Sequence, residues 1–150
     1  MERSQMLYSK QDGIKDFIKR TKENLDIYIK QNQKDPAKYP WEVTATINSF
    51  LGLIVLPQEQ NANLLENIEI PTITEKIKIA KKTNKELFRH LRNSIAHGHF
   101  FNNILGEEYI KTIIFTDYNP HNKSETFEIT LSIQEIQNII SAIYNQTRNS

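Results

Sequence analysis

The sequence predicts a mainly all-α fold, a four-helix bundle carrying a β-hairpin between its third and last helices. Three observations point there. Apolar residues recur at helical spacing in four separate segments. One of these, "VTATINSFLGLIVL" at 43–56, is apolar on most sides, as a helix at the centre of a bundle would be. Between the third and fourth segments the pattern changes to β-branched and aromatic residues flanking a turn-rich stretch.

Residues 9–33 read as the first helix, with Ile14, Phe17, Ile18, Leu25 and Ile29 at helical spacings. "QKDPAKYP" at 33–40 ends it with two prolines. The second helix is expected over 41–56, closed by Pro57. A polar connection at 58–72 leads to a long third helix over 74–97, for which Gly98 is a natural stop. "EYIKTIIFT" at 108–116 and "ETFEIT" at 125–130 read as two strands joined by the turn chemistry of "DYNPHNKS". A lone hairpin is marginal in water, so it is expected to pack on the bundle or on a partner. The last helix, 132–147, places Ile133, Ile136, Ile139, Ile140 and Ile143 on one face.

The chain has 150 residues, which suits a single domain over 1–150 with one core. Cysteine is absent, which excludes disulfides and thiolate metal sites and fits a reducing compartment. "MERSQMLYSKQDG" lacks the apolar centre of a signal peptide, and the 43–56 run is too short and too polar to span a bilayer. A cytoplasmic location with no membrane partner is the expectation.

Net charge is +1, yet its distribution is uneven. Residues 73–97 hold seven basic residues (Lys76, Lys78, Lys81, Lys82, Lys85, Arg89, Arg92) against two acidic ones (Glu75, Glu86), so this segment is +5 and the remainder −4. A basic helix on a near-neutral protein can hold a polyanion, and it can equally be a solvated face.

On a helical wheel, Leu87, Phe88, Leu91 and Ile95 form one apolar face, and Arg92, Arg89, Asn93, His97 and His90 fan across the other side. Asn93 and His97 are four apart and therefore neighbours. Arg92 and His97 diverge by about 140°. They converge on one phosphate only by bending at the helix end, or by facing a second copy of the helix. His97 lies where the helix dipole favours the imidazolium and nearby arginines oppose it, a setting suited to proton transfer near neutral pH. A histidine before glycine is also a common helix end. "HGH" with His90 upstream is a weak metal signal, because no carboxylate stands at ligand spacing between Leu87 and Phe101. No glycine-rich phosphate loop occurs, and Ser94 lacks a nucleophile-elbow context and reads as packing.

"RNSIAH", Arg92 to His97, runs arginine, polar residue, three residues, histidine. It resembles the R-x4–6-H signature of the HEPN superfamily, small all-helical domains of prokaryotic defence and toxin–antitoxin systems and of eukaryotes. "LFRHLRNSIAHG" has the amphipathic lead-in and trailing glycine of that motif. "WEVTATINSFLGLIVLPQE" at 41–59 looks like the second-helix block of a small stand-alone bacterial branch that includes plasmid-borne members. A hairpin before the last helix suits that branch, and the resemblance covers most of residues 20–147.

The resemblance implies a HEPN-like fold and a metal-independent endoribonuclease that uses no cofactor. It implies that Arg92 stabilises the scissile phosphate, that His97 is the general base or acid, and that Asn93 orients phosphate or histidine. Products would be a 2′,3′-cyclic phosphate and a 5′-hydroxyl. RNA is the implied substrate, a homodimer pooling two R-x4-H motifs the implied assembly, and a cognate antitoxin a further candidate partner. Lys85, Arg89, His90 and His99 are additional candidate RNA contacts that the family does not specify. The branch regulated by a nucleotidyltransferase partner carries tyrosine two residues after the histidine. Here that residue is His99, so control by modifying that tyrosine does not carry over. Two other readings stay open: a non-catalytic HEPN module binding RNA, nucleotide or protein, and a capped helix end with no further role.

Overall fold

The computed structural model describes residues 13–60, 68, 83–102 and 112–148. The expected start of the first helix at 9–12, most of the 58–72 connection, the third helix before residue 83 and positions 108–111 of the first strand lie outside the described residues. The elements are helices α1 (Gly13–Lys34), α2 (Glu42–Gln60), α3 (Asn84–Ala96) and α4 (Ile133–Arg148), with strands β1 (Phe100–Asn102), β2 (Thr112–Tyr118) and β3 (Glu125–Ser132) between α3 and α4. The protein is therefore mainly α, as its apolar spacing predicts, with a three-stranded antiparallel sheet where two strands were expected.

α1 turns Ile18 and Leu25 fully inward and lays Ile14 and Ile29 along the edge of the core. Its Phe17 packs on α2 at Gly52, where a Cβ would come within 3.1 Å of the Phe17 ring. α2 contributes Ile47, Phe50, Leu53 and Ile54. It runs through Pro57 to Gln60 instead of ending there. Proline deletes one main-chain bond, at a cost of about 3 kcal/mol in a helix interior. The loss is local, and the good helix formers Gln58, Glu59 and Gln60 carry the turn onward.

α3 does not continue an unbroken helix from 74. Thr83 is extended (φ −89°, ψ 164°), and its side chain accepts the Glu86 N–H, so the helix starts at Asn84. "TNKE" is a Thr-x-x-Glu start signal inside the basic run. α4 starts on a complete capping box. The Ser132 N–H donates to Glu135 Oε1 at 3.0 Å, and the Glu135 N–H donates to Ser132 Oγ at 3.0 Å. All five isoleucines expected on its inner face are buried. Each contributes roughly 1.5–3 kcal/mol on leaving water.

The sheet order is β1-β2-β3. On β2, Ile113, Phe115 and Asp117 alternate on one face and stand opposite Leu131, Ile129 and Phe127 of β3. Both rows are buried. Phe115 meets Phe50 of α2 edge-on at 6.4 Å, which seats the sheet on the helices. β1 is too short for alternation to show in sequence. It forms because the turn after α3 brings the His99 carbonyl to accept the Thr116 N–H at 3.0 Å, aligning Phe100 with Phe115. A bulge between Asp117 and Tyr118 ends the regular ladder. No helix among the described residues is long and apolar enough to cross a membrane.

Candidate functional site

α3 ends in a Schellman turn. The Gly98 N–H donates to the Ile95 carbonyl at 3.1 Å and the His99 N–H to the Ser94 carbonyl at 2.7 Å. Gly98 adopts φ +71°, which its missing Cβ permits. His97 is the C-cap and donates its N–H to the Asn93 carbonyl at 3.0 Å. The cap uses only backbone, so the exposed imidazole is left outside it. The turn then swings His99 across to β2.

A second fastening lies one turn earlier. Ser94 is fully buried, and its Oγ lies 2.6 Å from the Thr116 carbonyl and 2.8 Å from the His90 carbonyl. One hydroxyl proton serves these two acceptors, and the Thr116 bond ties α3 to β2. Ser94 thus has a packing and fastening place, consistent with its helix-interior context.

Between helix and sheet sits Asp117, 7% exposed, in the inward row of β2 that otherwise holds Ile113 and Phe115. Three N–H groups converge on it. His90 Nδ1 donates to Oδ2 at 2.7 Å, Asn93 Nδ2 donates to Oδ2 at 3.2 Å, and the Tyr118 backbone N–H donates to Oδ1 at 2.9 Å. Burial alone would raise the carboxyl pKa. The hydrogen bonds from His90, Asn93 and Tyr118, with the charge interaction of His90, outweigh it and hold Asp117 below the ordinary carboxylate value. The aspartate is therefore ionised in the folded protein at neutral pH.

The carboxylate only accepts and a guanidinium only donates, so the Asn93 amide has one orientation that serves both neighbours. Its Nδ2 faces Asp117, and its Oδ1 accepts from Arg92 Nη2 at 3.3 Å. Asn93 is a bridge from a buried anion to the arginine beside it. His90 lies behind the bridge, 5% exposed, stacked on Phe127 at 4.6 Å with 7° between the rings. Its Nε2 is buried and has no hydrogen-bond partner among the described residues.

A cleft of about 460 Å³ opens over this arrangement, with Asn93, His97 and His99 from α3 and the turn after it, Asp117 of β2 behind Asn93, and Tyr118 and Lys123 on the hairpin side. The His97 and His99 rings lie 6.0 Å apart. His99 is half-buried and meets the Tyr118 ring edge-on at 4.9 Å. Its Nδ1 is buried without a hydrogen-bond partner among the described residues.

The structure brings Asn93 and His97 to one cleft and joins Arg92 to it through Asn93. His99 lines it as well. Lys85 and Arg89 lie exposed on the outer face of α3. His90 is the correction: the wheel fans it toward solvent with the arginines, whereas β2 and β3 cover that side of the helix and put its ring under Phe127. The His90 ring is therefore buried beneath the sheet and does not share the solvent-facing side with Arg89. A helical wheel shows only the helix's own faces, and here the sheet covers a second one.

Sequence reading missed Asp117, Tyr118 and Lys123, which it assigned to the turn. A signal existed for Asp117: in "TIIFTDY" it falls in phase with Ile113 and Phe115, where an inward apolar residue is expected. Among the described residues, no group of three or more His, Cys, Asp or Glu side chains is placed to hold a metal ion.

No curated protein and no solved structure matches this sequence. The family model described as HEPN pEK499 p136 matches residues 1–149, and the chain belongs to that HEPN family.

Proposed function

We propose that the protein is a metal-independent endoribonuclease whose chemistry is carried by Arg92, Asn93 and His97. The observation that carries this is the bridge at Asn93: anchored on buried Asp117, it holds Arg92 on one side and shares a cleft with His97 on the other. In the proposed reaction the ribose 2′-oxygen attacks the adjacent phosphorus. Its proton passes to a general base, the bond from phosphorus to the 5′-oxygen breaks, and that oxygen takes a proton. The exposed imidazole of His97 is the proton-transfer group. Arg92 neutralises charge that builds on the phosphate oxygens. Products are a 2′,3′-cyclic phosphate and a 5′-hydroxyl end.

Arg92 reaches this cleft through Asn93, and its side chain diverges from His97 along α3. That divergence supports a homodimer in which two motifs complete one another. Membership of a HEPN family supports an RNA-cleaving setting in bacterial defence or growth control, with a cognate antitoxin as partner. The lack of cysteine fits cytoplasmic work.

Purified protein incubated with RNA in EDTA tests the chemistry. The expected result is cleavage to cyclic-phosphate ends, reduced at least ~100-fold in His97→Ala, the lower range for a proton-transfer residue. Equal cleavage by parent and variant, or none by the parent, ends the proposal. A parent that binds RNA without cutting it would instead fit a non-catalytic binding module, the reading favoured by the fact that Arg92 meets the cleft only indirectly.

A further inference from the structure

The hairpin side of the cleft has no part in the chemistry proposed above, yet it is built in detail. Tyr118 follows the bulge that ends the β2–β3 ladder, and it keeps 37% of its surface exposed. Its backbone N–H is taken by Asp117, and its ring is held edge-on to His99 at 83°. An exposed aromatic ring with a fixed tilt, lining a cleft, is a stacking platform.

Lys123 stands on the same rim. Its φ is +63°, in the left-handed region where glycine or asparagine is the common residue. The turn around it is tightly bonded. The Lys123 N–H donates to the Asn119 carbonyl at 2.9 Å, and Asn119 Oδ1 accepts the His121 N–H at 2.9 Å. Asn122 Oδ1 accepts both the N–H and the hydroxyl of Ser124. This rigid turn places a lysine, where glycine would be less strained, at the edge of the cleft.

We propose that Tyr118 and Lys123 form a nucleotide subsite for single-stranded RNA beside the R-x4-H motif. One base stacks on Tyr118 against His99, and the adjoining phosphate sits at Lys123, leaving the next phosphate at His97. The proposal rests on the ribonuclease reading only for that last placement. The cleft, about 460 Å³, is within the range of small-molecule sites, about 300–1,000 Å³, and takes one nucleotide. A base inside a duplex does not offer its face, so paired RNA is excluded.

The test is binding of a fluorescent, 2′-O-methyl single-stranded RNA dodecamer, which lacks the attacking hydroxyl and stays intact. Tyr118→Ala is expected to weaken binding by about five-fold or more, and Tyr118→Phe to bind as the parent does, since stacking needs only the ring. Lys123→Ala is expected to weaken binding and to lower the log–log salt slope by ~0.7, the value of one phosphate contact on a single strand. Lys123→Arg keeps the parent slope, and Lys123→Gly unfolds at a higher temperature than the parent while losing the contact. A duplex of the same length competes poorly. The proposal is overturned if the parent does not bind the dodecamer, if Tyr118→Ala and Lys123→Ala bind as the parent does, or if duplex competes equally. The subsite and the ribonuclease fail separately. Binding with this pattern but no cleavage of ordinary RNA keeps the subsite and removes the enzyme, whereas cleavage unaffected by both variants does the reverse.

Discussion

His90 and Asp117 form a buried pair, Nδ1 to Oδ2 at 2.7 Å, twenty-seven residues apart in sequence and joined across the helix–sheet boundary. A buried carboxylate is costly unless its lone pairs are met, and here three N–H groups meet them. Asp117→Ala would leave the inward N–H groups of His90 and Asn93 facing nothing. The expected loss of stability is about 3–5 kcal/mol by urea unfolding, the range for one partner removed from a buried pair. A loss below about 1 kcal/mol would mean the pair is not a structural anchor.

The same group sets a pH dependence. Asp117 is held below its ordinary value of 3.8 in the folded protein, so the folded state binds fewer protons there than the unfolded state. Its contribution is complete above the unfolded value and is lost as pH falls through the folded one. The stability gap between the parent and Asp117→Asn is therefore expected to narrow as pH falls below about 4. A gap that widens below about pH 4 contradicts the assignment.

Gly98 at φ +71° tests the turn that delivers His99 to the sheet. A Cβ there would meet no atom within 4 Å, so the penalty for Gly98→Ala is purely one of backbone conformation. It should cost about 1–2 kcal/mol in thermal or chemical unfolding. No loss at all would show that the left-handed turn is not kept in solution.

His97 separates chemistry from structure. It caps α3 through its backbone N–H, and its ring is exposed. His97→Ala should leave stability within about 0.5 kcal/mol, as for other exposed substitutions. If the ribonuclease proposal is right, RNA cleavage by this stable variant drops sharply. A large loss of stability would return His97 to the role of a structural helix end.

Much was legible without the fold. Helical periodicity located α1, α2 and α4, and the five buried isoleucines of α4 are the ones its spacing selects. Gly98 marked the end of α3, because the left-handed turn that closes this helix is local backbone chemistry. Arg92, Asn93 and His97 stood out as a motif. Two local signals were present and overlooked, the Thr83–Glu86 helix start and an aspartate in phase with Ile113 and Phe115. Pro57 was overvalued as a stop.

What the sequence by itself determined is therefore the helices, two of the three strands and their apolar faces, since hydrophobic period and capping act over a few residues. The tertiary structure decided what covers His90, what Asn93 is anchored to, and which hairpin residues face His97. Those depend on contacts between segments more than twenty residues apart, where burial of one carboxylate by a neighbouring helix outweighs any local preference.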